Sequence, residues 1–140
     1  MRRQKGFSLI EIMVVVVILG ILASIVVPKI MGRPDEARKV KAKQDVLAIQ
    51  NALDLYKLDN GTYPTTDQGL VALVEKPSNN PSPTNWKQYL KSVPKDPWSR
   101  DYLYLNPGQH NDVDVFTLGA EGQPGGMGIN AEIGNWDDHQ

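Results

Sequence analysis

The chain has no cysteine and only two histidines in 140 residues. Without cysteine there is no disulfide to staple a fold and no thiol nucleophile. His110 and His139 are the only imidazoles, and no glycine-rich phosphate loop accompanies them. No nucleophile or metal constellation of a catalyst is present, so the chain does not read as an enzyme. Net charge is only −1, which gives no basic excess to propose a nucleic-acid partner. No internal repeat is found. Lys and Arg are also missing from one region. From Asn106 to Gln140 there is neither, while Asp112, Asp114, Glu121, Glu132, Asp137 and Asp138 all lie there. Like charges gathered in a small domain repel unless solvent or a cation relieves them.

What the chain does have is concentrated at its start. Arg2, Arg3 and Lys5 precede Gly6, Phe7 and Glu11, and an apolar run follows from Ile12 to Val27. Phe7 to Val27, built as helix, is about 31 Å long, enough for a hydrocarbon core. An ordinary secretory signal fits less well. Its apolar stretch is shorter, and the partner of Ala23 in a small-x-small cleavage site would be Ile21, which is not small. The basic N-terminus predicts a cytoplasmic start with the C-terminal part across the membrane. Glu11 is the anomaly, because a carboxylate at the centre of a bilayer costs roughly 2.5–3.5 kcal/mol and less near its edges. A cut after Gly6 would supply a partner, since the new amine of Phe7 lies one helical turn from Glu11.

This pattern resembles the class III (prepilin-type) leader of type IV pilins and type II secretion pseudopilins. The resemblance implies that a prepilin peptidase cuts after Gly6 and N-methylates Phe7. It puts Glu11 at the fifth mature position, where the family carries its acidic residue. Glu11 would then pair with the Phe7 amine of an adjacent subunit and set the register of assembly.

Beyond the apolar run, Pro28 and Gly32-Arg33-Pro34 weaken the helix. Ala42, Val46, Ile49, Leu53 and Tyr56 then recur at helical spacing and predict one amphipathic face. Asn60-Gly61 predicts its stop. A rod from Phe7 to about Leu58, soft around Pro28, is expected. Short helices are predicted over Leu70–Val74 and as a turn over Trp86–Leu90, with an exposed loop from Lys76 to Asn85. Tyr102–Leu105 and Asp112–Leu118 read as a hairpin, with Val113, Val115 and Thr117 on one face. Asp112 and Asp114 are expected to stand on a solvated strand face, and His110 to be a turn residue. Trp86, Trp98 and Trp136 are expected as packing anchors, and Tyr63 as the contact of its loop with the long helix. Gly119 to Trp136 holds six glycines. Such a loop is disordered unless something holds it.

Tyr56-Lys57-Leu58-Asp59-Asn60-Gly61-Thr62-Tyr63-Pro64-Thr65-Thr66-Asp67-Gln68-Gly69-Leu70, Asp96-Pro97-Trp98, Pro107-Gly108-Gln109-His110 and Ile133-Gly134-Asn135-Trp136 extend the resemblance over nearly the whole chain. They look like the signature of the major (G-type) pseudopilins of type II secretion. The expected fold is α+β: a long N-terminal α-helix packed on a small domain with short helices, an antiparallel β-hairpin or sheet and a calcium-type C-terminal loop. The first half of the helix would be transmembrane and the second amphipathic. The expected organisation is a leader over 1–6, the long helix over 7–60 with 7–27 in the membrane or filament core, and a periplasmic domain over 61–140.

The resemblance implies a homopolymeric pseudopilus, anchored in the inner membrane and growing into the periplasm, that helps export folded proteins. Implied partners are minor pseudopilins, the inner-membrane assembly platform and the prepilin peptidase. In filaments of the family the helix softens between positions matching Gly20 and Pro28. A calcium is implied in the C-terminal loop, held by Glu121 and Glu132 with the carbonyls of Leu118, Gln123 and Ile129. The family usually has Asp at both acidic positions, so the cage here would be looser. A type IV pilin for adhesion or motility is the alternative, and the absence of cysteine leans away from it.

Overall fold

A computed structural model of the chain describes residues 6–31 and 33–137, with side chains over 6–24 and 34–137. Two compact units result, Met1–Glu36 and Ala37–Gln140.

In the first unit, helix α1 runs over Leu9–Met31. Ser8 starts it: the Glu11 N–H donates to Ser8 Oγ at 3.2 Å and the Ile12 N–H to the Ser8 carbonyl at 3.3 Å. A serine cap satisfies donors that a first turn otherwise leaves open. The backbone stays helical through Gly20 and Pro28. Every described side chain from Leu9 to Ser24 is exposed, Ile10 at 74% and Val17 at 60%. Among the described residues no helix is long and apolar enough to cross a membrane.

Helix α2 runs over Arg33–Asn60, with Asp35 and Glu36 in its first turn and Lys57 in its last, the signs that suit the helix dipole. Residue 32, between the two helices, lies outside the described residues. The expected stripe is the buried face: Ala42, Val46, Ile49, Leu53 and Tyr56 are all 3% exposed or less. Burial of each larger one stabilises by about 1.5–3 kcal/mol. Gly61 ends the helix with φ of 84°, and its N–H donates to the Lys57 carbonyl at 2.7 Å. That left-handed cap favours glycine.

Against this face packs a three-stranded antiparallel sheet in the order β1-β2-β3, with β1 Leu103–Leu105, β2 Asp114–Thr117 and β3 Ile133–Gly134. Tyr104 pairs with Val115 and both turn into the core, whereas Leu103 pairs with Phe116 on the outer face. The third strand was not expected from the sequence. It is two residues long, too short for periodicity to register.

The Leu70–Leu73 segment forms a single 3-10 turn. Trp86–Leu90, expected as a helical turn, is not helical. There the N–H groups of Tyr89 and Leu90 both donate to the Leu73 carbonyl, at 2.9 and 3.0 Å, and Trp86 Nε1 donates to the Ala72 carbonyl at 2.7 Å. Bonds to a distant segment replace the local bonds of a helix. Gln68, 8% exposed, pins the neighbouring loop by donating to the carbonyls of Asn79 and Pro81. Tyr63 packs on α2 as expected, its hydroxyl donating to Asp54 at 2.9 Å.

Candidate functional site

The N-terminal segment presents Gly6, Phe7 and Glu11 on one exposed stretch of chain. Phe7 is 80% exposed and Glu11 sits in the first turn of α1. A methyl at Gly6 or Gly20 would meet nothing within 4 Å, so neither glycine serves a close contact within this unit. Pro28 lies in the helical backbone, and its side chain is outside the described part.

The C-terminal loop is ordered by its own backbone. The Ala120 N–H donates to the Ile129 carbonyl at 3.1 Å, Asn130 to Met127 at 3.1 Å and Ala131 to Gly128 at 3.2 Å. The two limbs touch so closely that a Cβ on Gly119 would lie 2.7 Å from the Asn130 carbonyl carbon. Its φ of 82° also favours glycine. Ile133, 5% exposed, anchors the far end in β3.

Of the five expected calcium positions, Leu118 and Glu132 line one cavity of about 310 Å³, together with Trp136. Glu121, Gln123 and Ile129 do not line it. Glu121 is exposed and Glu132 half-buried. Among the described residues no group of three or more His, Cys, Asp or Glu side chains converges as a metal cluster. The expected donors are two carboxylates and three backbone carbonyls, an all-oxygen set of the kind calcium takes and a softer metal does not, and the structure does not bring all five to one cavity. Ile129 already uses one carbonyl lone pair on Ala120.

Two buried aspartates frame this loop, and the role of neither follows from the apolar pattern of the sequence. Asp114 is 1% exposed, not on a solvated face. It accepts the N–H groups of Gln109 at 2.7 Å, His110 at 3.1 Å and Asn111 at 3.0 Å, and meets His110 Nδ1 at 3.1 Å. Burial pushes its carboxyl up, but these donors outweigh burial and hold it below the usual carboxylate range. Asp112 remains exposed, as expected. His110 is a turn residue whose ring stacks on Trp136 at 3.9 Å. Asp96, 5% exposed, accepts the N–H groups of Trp98 and Arg100 and the Thr117 hydroxyl, the last at 2.6 Å. Asp96 carries the local signal of an aspartate that accepts the N–H two residues on, whereas Asp114 accepts from residues that precede it and carries no such signal.

One cleft, of about 580 Å³, is lined by Gln50, Asp54, Tyr63, Asp112 and neighbours. Its side chains bind one another: Tyr63 to Asp54, and Asn135 Nδ2 to Gln50 Oε1 at 2.7 Å. This is a structural network that ties α2 to the Tyr63 loop and to Asn135 just beyond β3.

Comparison with known proteins matches two family models: type II secretion system protein G over residues 29–136, and the prokaryotic N-terminal methylation motif over residues 1–27. The type II secretion system core protein G of Vibrio cholerae is 61% identical over 138 residues, 97% of this chain and 94% of that protein. That of Pseudomonas aeruginosa is 59% identical, covering 97% of each. The crystal structure of the major pseudopilin from the type 2 secretion system of enterohaemorrhagic Escherichia coli superposes with a TM-score of 0.67 at 47% identity. It covers 76% of this chain and 92% of that one.

Proposed function

The chain belongs to the type II secretion system protein G family, and on that premise we propose how its residues serve a pseudopilus. It is a structural subunit, a major pseudopilin, and not an enzyme. The type IV pilin alternative has less support, because the matched family model over 29–136 is that of the secretion protein.

The observation that carries the assembly reading is α1. Apart from Glu11 and Ser24, its described side chains are apolar on every side, and all are exposed within its unit. A helix apolar on every side needs cover on every side. Four consecutive valines, Val14 to Val17, lie in it. β-Branched residues make a helix marginal in water, whereas lipid compels backbone groups to bond internally. Lipid covers residues 7–27 before assembly, with the basic N-terminus cytoplasmic and the C-terminal unit periplasmic. Neighbouring helices cover them in the filament.

Cleavage after Gly6 by a prepilin peptidase frees the Phe7 amine for N-methylation. Glu11 of one copy pairs with that amine on the next, because a charge moved out of water is tolerated only when paired. Gly20 and Pro28 let the helix unwind locally as it enters the filament, since one costs backbone entropy and the other lacks a donor. The assembly platform and minor pseudopilins are the protein partners.

Calcium would be held by the Glu121 and Glu132 carboxylates with the carbonyls of Leu118, Gln123 and Ile129. It would relieve the repulsion of an acidic segment that contains no Lys or Arg.

Glu11→Ala tests the assembly reading. The variant is expected to insert into the inner membrane like the parent and to yield no sheared pseudopili. Pseudopili at parental yield would refute the pairing.

A further inference from the structure

We propose that the Arg100 guanidinium is the resident cation of the C-terminal loop, holding its first turn to the Asp96–Asp101 turn with or without a bound metal. Arg100 Nη1 donates to the carbonyls of Gly119 at 2.9 Å and Ala120 at 3.1 Å, and Nη2 donates to Ala120 at 3.1 Å. Gly122 makes the space: a Cβ there would lie 2.7 Å from Arg100 Cζ. The φ of Gly122 is 67°, so the turn and the cradle require the same glycine.

The arm that presents the guanidinium is itself fixed. The Arg100 N–H donates to Asp96 Oδ1 at 2.8 Å, and its carbonyl accepts the Asp96 N–H at 2.8 Å. Ser99 takes a φ of 66°, uncommon for a residue with a side chain. It turns the chain so that Arg100 returns to Asp96. The opposite carboxylate oxygen of Asp96 accepts the Thr117 hydroxyl, and Thr117 leads directly into Gly119. The two turns are therefore joined twice, through buried Asp96 and through Arg100.

The chemistry matches the composition. Residues 106–140 supply six acids and no Lys or Arg, so a permanently charged side chain on this loop comes from outside the segment. A guanidinium is permanently charged and offers only donors, in a planar fork. Convergent carbonyls are the atoms that both it and calcium seek. In this chain part of that demand is met by hydrogen bonds from a side chain, a cation tethered to the chain itself. The comparison of the two cations rests on the calcium reading, while the Arg100 contact does not.

Hydrogen exchange read by mass spectrometry on the full chain in detergent micelles tests this, with excess chelator and with excess calcium. In chelator, Arg100→Gln is expected to exchange about tenfold faster or more across residues 119–131 than the parent. Peptides from β1 and β2 keep their protection. Arg100→Lys, which keeps the charge but loses the planar fork, is expected to open the same segment to a smaller extent, and it decides the matter if Arg100→Gln unfolds the unit. Arg100→Gln or Arg100→Lys exchanging at the parental rate in chelator would overturn the proposal. Calcium that protects neither parent nor variant, beside a loop opened by Arg100→Gln, would sink the calcium reading and leave Arg100 as the cation.

Discussion

Replacing Asp114 removes the acceptor on which the turn before β2 is wound. Its carboxylate takes three backbone N–H groups, those of Gln109, His110 and Asn111, and faces His110 Nδ1. Hydrogen bonds to a charged group contribute about 1.5–3 kcal/mol each. Their simple sum overstates the loss, because Gln109 and His110 are exposed and water can reach their donors once the carboxylate is gone. A net cost of about 3 kcal/mol for Asp114→Ala follows, or roughly 12–20 °C in Tm for a unit of this size. Tryptophan fluorescence of the full chain in micelles measures it, because Trp86, Trp98 and Trp136 all lie in the second unit. The pH dependence gives a second reading. The folded carboxyl lies below its ordinary value, so its stabilisation is complete above the unfolded value near 3.9 and is lost as pH falls through the lower folded one. The gap between parent and Asp114→Asn should therefore narrow in acid below about pH 4. Gly108→Ala reaches the same carboxylate from outside, its Cβ falling 2.6 Å from Asp114 Oδ1. A loss under about 1 kcal/mol for Asp114→Ala, or a gap that does not change with acid, would refute the reasoning.

Leu53, fully buried beneath the sheet, should cost about 2–5 kcal/mol when cut to Ala, read from the same unfolding transition. In alkali, burial and the Asp54 hydrogen bond push the Tyr63 hydroxyl up to about 12. Its contribution is thus present below pH 10 and lost between there and about 12, which absorbance titration against Tyr63→Phe will show. With calcium a hundredfold above its Kd, the second unit should gain about 2.7 kcal/mol over its chelated state. The double variant Glu121→Gln with Glu132→Gln should lose that gain, and equal melting in chelator and calcium would remove the metal from the account.

Much of this protein could be read from local pattern. The leader, the apolar run and the carboxylate at Glu11 are all encoded within a few residues of one another. The buried stripe of α2 follows from a 3.6-residue period that needs no knowledge of what covers it. The left-handed stop at Gly61 follows from glycine itself. The family followed from the same linear motifs.

What local pattern could not give is set by bonds between segments distant in sequence. Trp86–Leu90 gave up helix because the Leu73 carbonyl was available to it. β3 exists because β2 offers an open edge, not because two residues prefer to be extended. Asp114 alternates like an outward strand residue, yet the turn from Gln109 to Asn111 closes over it and its charge is solvated by peptide N–H groups instead of water. Arg100 reads as an ordinary surface charge until Gly119 and Ala120 turn their carbonyls toward it from nineteen and twenty residues away. Periodicity reports which side of an element is apolar. The identity of a polar group's partner depends on which chain segments meet, and that is decided only when the core brings them together.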